Sequence, residues 1–60
     1  MMQIGDLIID TKHPEDGAAL IIEIDLSKDE GYRLFCDRSV WWYDSRWCEK
    51  NCKVIGHADR

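Results

Sequence analysis

The chain has 60 residues, 45% of them hydrophobic and six of them aromatic (three Trp, two Tyr, one Phe), which suits one packed domain and leaves little room for a deep catalytic cleft. Twelve acidic residues against eight basic ones give a net charge of −4 at pH 7, a balance that disfavours phosphate backbones as partners. No apolar run approaches the roughly 20 residues of a membrane helix, and the opening Met1-Met2-Gln3-Ile4-Gly5-Asp6 lacks the basic and apolar regions of a signal peptide, so a cytosolic protein is expected.

Short apolar segments follow one another with turn residues between them, a pattern that predicts an all-β domain over residues 1–60 without repeats or linkers. Asp6-Leu7-Ile8-Ile9-Asp10 reads as a first strand. The polar stretch from Thr11 to Gly17 then interrupts pairing through Pro14 and the Asp16-Gly17 pair, and is expected to be an exposed, mobile loop. The second strand is expected from Ala18 to Leu26. Its even positions Leu20, Ile22, Ile24 and Leu26 are all apolar while Glu23 and Asp25 fall on the other parity, so the even set is predicted to face the core.

Ser27-Lys28-Asp29-Glu30-Gly31 is a charged turn, and Tyr32-Arg33-Leu34-Phe35-Cys36 resumes a strand. Asp37-Arg38 reverses the chain into Ser39-Val40-Trp41-Trp42-Tyr43-Asp44. A two-residue turn pairs Leu34 with Trp41; one more loop residue pairs Leu34 with Trp42 and turns Trp41 outward. Both registers fit the residues. Ser45-Arg46-Trp47-Cys48-Glu49 is short enough to suggest a single 3₁₀ turn, Cys52-Lys53-Val54-Ile55 a last short strand, and residues 56–60 a flexible tail.

Five short strands, the last two joined by one helical turn, match the arrangement of SH3-like barrels. The words Gly5-Asp6-Leu7-Ile8, Leu20-Ile21-Ile22-Glu23-Ile24, Tyr32-Arg33-Leu34-Phe35, Val40-Trp41-Trp42-Tyr43 and Cys52-Lys53-Val54-Ile55 come in matching order along almost the whole chain. By that order and spacing the chain resembles small phage and bacterial SH3-like proteins of the KOW and Tudor kind. It departs from them where a Gly-rich start to the second strand is replaced by Gly17-Ala18-Ala19, and where a glycine in the third turn is replaced by Asp37-Arg38. The resemblance implies a scaffold whose members bind peptides, nucleic acid or methylated side chains, or support larger assemblies; a shared barrel does not imply a shared ligand.

The rings Phe35, Trp41, Trp42, Tyr43 and Trp47 are the candidate partner-binding residues, because so small a barrel cannot enclose that much ring area, and exposed aromatics favour protein contacts. The plainer alternative is that one tryptophan anchors the core while the other rings lie over the sheet and shield its edges. Acidic residues Asp6, Asp10, Glu15, Asp16, Glu23, Asp25, Asp29 and Glu30 would make one side of the domain negative and suit a basic partner such as a proline- and arginine-rich peptide.

Three cysteines without a secretory signal read as thiols, with Cys36, Cys48, Cys52 and His57 as an outside candidate for a zinc set and a Cys48–Cys52 disulfide as another. Otherwise no cofactor is called for. No nucleophile, phosphate loop or metalloprotease motif stands out, so a non-enzymatic protein is expected. The leading expectation is an accessory phage or bacterial module that binds a partner protein through its aromatic surface. Self-assembly through an edge strand, giving a homo-oligomer, is the alternative, and nucleic-acid binding through the rings with Arg33, Arg38 and Arg46 is a third reading.

Overall fold

The structure is a computed structural model that describes residues 1–58. Five antiparallel strands form one sheet: β1 (Asp6–Asp10), β2 (Ala19–Ile24), β3 (Tyr32–Cys36), β4 (Ser39–Tyr43) and β5 (Cys52–His57), in spatial order β4-β3-β2-β1-β5. The sheet is not closed into a barrel, since β4 and β5 are its two edges. A 3₁₀ turn (Pro14–Asp16) follows β1, and one helix, α1 (Ser45–Asn51), links β4 to β5. No helix among the described residues is long and apolar enough to cross a membrane.

Local chemistry explains most of these elements. Pro14 stands at the start of the 3₁₀ turn, and Gly17, at φ 84°, ends it by donating its N–H to the Pro14 carbonyl at 3.1 Å. Asp37 and Arg38 both lie at positive φ, 51° and 64°, the conformation that a two-residue hairpin needs if its twist is to match that of the strands. This turn selects the first of the two registers, with Leu34 opposite Trp41. Gly31 has another constraint: a Cβ there would sit 2.5 Å from the Asp25 carbonyl oxygen, where the loop folds back on itself and Asp25 N–H donates to Gly31 O at 2.7 Å.

The strand expected over residues 18–26 is shorter, and its predicted inward face is wrong at its centre. Ile21 is fully buried, whereas Ile22 is 37% and Leu26 57% exposed. A β-bulge is the cause: Ile21 pairs with Leu34 and Glu23 with Arg33, so Ile22 has no partner and the alternation of faces resets. Before the bulge the odd residues Ala19 and Ile21 face inward; after it the even residue Ile24 does. Leu26 lies beyond the strand's end.

Between β4 and β5 the expected 3₁₀ turn is instead a seven-residue α-helix. Seven residues would not hold a helix in isolation. Here Asp44 caps it by accepting from Trp47 N–H at 2.9 Å, and its last carbonyl, on Asn51, accepts from both the N–H and the hydroxyl of Thr11 at 3.0 Å. Its inward residue, Cys48, is fully buried. Residues 56–58 are not the tail expected there: Gly56 and His57 continue β5 opposite Leu7 and Asp6, and Ala58 N–H donates to Gly5 O at 2.6 Å. Asp59 and Arg60 lie outside the described residues.

The core consists of Met2, Ile8, Ile21, Tyr32, Leu34 and Cys48, with Ala19, Ile24 and Cys52 packed against it. Burial of a large apolar side chain contributes about 1.5–3 kcal/mol, so this small set supplies much of what holds the fold. No tryptophan belongs to it.

Candidate binding groove

The register sorts every ring onto one face or the other. Paired residues of antiparallel strands share a face, so Trp41 opposite Leu34 and Tyr43 opposite Tyr32 lie on the core side. Phe35 opposite Val40 and Trp42 opposite Arg33 lie on the reverse side. The five candidate rings therefore do not form one surface.

On the core side, beyond the buried cluster, the sheet leaves a groove with a cavity volume of about 180 Å³. Ile8, Ala19 and Leu34 contribute from the three central strands, while Tyr43 from β4 and Trp47 from α1 add aromatic surface. Asp10 and Asp16 bring carboxylates to it from the end of β1 and from the 3₁₀ turn. Trp47 remains 44% and Tyr43 37% exposed, so both rings keep area for a ligand. A larger hollow of about 580 Å³ lies on another side of α1, between Leu26, Tyr32, Arg46 and Lys50, but it is shallow and mostly open to solvent.

Trp47 owes its place to the helix cap: its N–H is held by Asp44, and Asn51 Nδ2 donates to its carbonyl at 3.0 Å one turn later. Cys48, next in sequence, faces inward and ties the helix to the core. Its thiol is pushed up to about 12 by burial, with Cys52 nearby adding to the effect. Cys52 also lines the groove, and burial and then the Asp10 carboxylate raise its thiol too. Both therefore stay protonated at neutral pH and behave as small apolar groups rather than nucleophiles.

On the reverse side, Trp42 is covered by cations. Lys28 Nζ stands 3.5 Å from its ring centroid, and the Arg33 guanidinium, 5.7 Å away, is also paired with Glu23 at 3.2 Å. Trp42 is thus engaged within the chain. The three arginines named for nucleic acid are dispersed: Arg33 on this face, Arg38 in the hairpin turn and Arg46 on α1.

Cys36, Cys48, Cys52 and His57 do not assemble as a metal set, and among the described residues no three His, Cys, Asp or Glu side chains gather to hold one. All three cysteines carry free thiols. His57 is held elsewhere, by Asp6. A carboxylate only accepts, so His57 Nδ1 donates to Asp6 Oδ1 at 2.7 Å, while Gln3 N–H donates to Asp6 Oδ2 at 2.8 Å. These bonds, that from His57 foremost, hold Asp6 below its ordinary carboxylate value.

Met2 and Glu49 escaped the sequence reading, and Asp6, expected among the acids of a negative surface, is instead turned inward. Met2 is buried although it stands at the very start of the chain, Asp6 is buried although it is acidic, and Glu49 accepts from both Met2 N–H at 2.9 Å and the Tyr32 hydroxyl. The hydrogen bond from Tyr32 is the main reason Glu49 lies below its ordinary value, while burial and then Glu49 raise Tyr32. Only Gln3-x-x-Asp6, a short turn with Gly5 in it, carried a local hint of any of this. Comparison with protein-family models, with curated proteins and with solved structures finds no match for this chain.

Proposed function

We propose that this chain is a protein-interaction module of SH3-like architecture, not an enzyme, and that it holds an extended, basic segment of a partner protein in the groove beside Tyr43 and Trp47. The SH3-like reading is supported by five antiparallel strands, β1 to β4 in chain-neighbour order and β5 returning beside β1, with β4 and β5 joined by a helical segment. An accessory role in a phage or bacterium rests on the sequence resemblance alone.

One observation carries the binding proposal: two half-exposed rings and two carboxylates meet at one apolar groove. Flat rings suit proline rings or the stem of an arginine, and Asp10 and Asp16 supply the opposite charge for its head. The chain's net charge of −4 favours encounter with such a segment.

The test is a fluorescence titration with a synthetic proline- and arginine-rich peptide and with its arginine-to-glutamine counterpart. Native protein is expected to bind the basic peptide with micromolar affinity and the neutral one more weakly. Trp47→Ala should weaken binding by about tenfold or more, the usual effect of losing a central ring, while Trp42→Ala on the reverse face should leave it unchanged. Absence of binding to either peptide, or equal loss in both variants when circular dichroism shows them folded, would overturn the proposal.

A further inference from the structure

The two open edges of the sheet are not alike. β5 is interrupted by a register shift between Leu7 and Ile8 and carries Lys53 and Gly56, features that make an edge a poor template for another strand. β4, Ser39-Val40-Trp41-Trp42-Tyr43, has no charge, proline, glycine or bulge and pairs with β3 without interruption. It is an edge strand, and Val40, Trp41 and Tyr43 on it are exposed.

Register also says which backbone groups that edge offers. The two-residue turn makes Cys36 and Ser39 the first hydrogen-bonded pair, and such pairs alternate along an antiparallel ladder, so Leu34–Trp41 and Tyr32–Tyr43 are bonded pairs as well. Val40 and Trp42 consequently turn their N–H and C=O groups outward. Among the described residues neither takes part in a backbone hydrogen bond outside the sheet.

We propose that β4 is a dimer seam, along which a second copy of this chain adds its own β4 antiparallel about a two-fold axis at Trp41. In this register Val40 of each copy exchanges both its backbone bonds with Trp42 of the other. Trp41 meets Trp41 as a non-hydrogen-bonded pair, the type that brings side chains closest, which gives a role to a ring left 63% exposed. The ends match as well. Arg38 and Asp44 stand equally far on either side of Trp41, so the arginine of each copy faces the aspartate of the other. Asp44 uses Oδ1 to cap α1, which leaves Oδ2 for that contact.

The pairing is self-complementary and closes at two copies. It also keeps faces in common, so two grooves would open on the same side and a partner with two basic segments would gain from both. That last consequence rests on the groove reading; the seam does not. A single strand pair buries little area, so a reversible dimer of modest affinity is expected.

Sedimentation velocity from about 1 µM to about 1 mM protein tests the seam without any peptide. Native chain should pass from monomer to dimer and no further. Val40→Pro removes an outward N–H and spares the β3 ladder, so it should weaken the dimer by about tenfold with an unchanged circular dichroism spectrum. Asp44→Asn keeps the cap and loses the charge, and should weaken it by about twofold. Monomer at every concentration, species beyond a dimer, or a folded Val40→Pro chain that dimerises as well as native would each overturn the seam. Should Val40→Pro not fold, oxidised Trp41→Cys decides: a 41–41 linkage found by mass spectrometry supports it, and its absence overturns it.

Discussion

β1 with β5 and β3 with β4 form the two wings of one sheet, and they are secured in different ways. At the β5 wing, α1 leads directly into the strand, His57 donates to Asp6, and Ala58 bonds back to Gly5. The β4 wing holds more ring area, yet Trp41, Tyr43 and, on the reverse face, Phe35 keep much of it in water. Within that wing β3 is the anchored half, since Tyr32 and Leu34 belong to the core, whereas the rings of β4 are not needed to fill it. Stability comes from the middle of the sheet and from polar ties between its ends, while β4 is left free for contacts.

The largest effect should come from the strand where the wings meet. Ile21→Ala empties a fully buried site beside the β2 bulge and should cost about 3 kcal/mol. A 60-residue domain has only roughly 3–9 kcal/mol to lose, so chemical denaturation should show the variant near the limit of folding. Ile22→Ala, one residue away but exposed, should cost much less; equal losses would contradict the placement of the bulge.

Acid should give the next largest effect. Glu49, which ties α1 to Tyr32 of β3, and Asp6, tied to His57 of β5, lie below their ordinary values of 4.5 and 3.8, so their contribution is whole above those values and is lost as pH falls through the depressed ones. Denaturation midpoints should therefore fall below about pH 4.5. Glu49→Gln should flatten the upper part of that decline; an unchanged profile would show that the Met2–Glu49–Tyr32 tie carries no stability.

The smallest effect belongs to the β4 wing and has the opposite sign. Arg38 occupies a left-handed conformation that costs a non-glycine residue about 1–2 kcal/mol, part of which glycine gives back in chain entropy. Arg38→Gly should raise stability by about 0.5–1 kcal/mol in dilute solution. A loss instead would show that the arginine is held by contacts within the monomer.

Much of the fold was legible because it depends on neighbours in the chain. β1 and β3 start and end where their composition predicts, and the charged loop before β3 and the Asp37-Arg38 turn stand where glycine, aspartate and charge break the apolar segments. The rings of the groove were named as well, Tyr43 and Trp47 among them. Their division between two faces was readable only in part, since parity separates Trp41 from Trp42 but is silent on what lies opposite each.

What composition and order determine by themselves is a small antiparallel β domain with more ring area than its core can take in. Tertiary structure alone decided the bulge at Ile22, the burial of Met2 and Asp6, the helix at Ser45–Asn51 and the choice of rings at the groove. The physical reason is common to all four. Alternation predicts a face only while a strand stays in register with its neighbour, and that neighbour, like the Thr11 that closes the helix or the Glu49 that holds Met2, is brought close by the fold and not by the sequence around it.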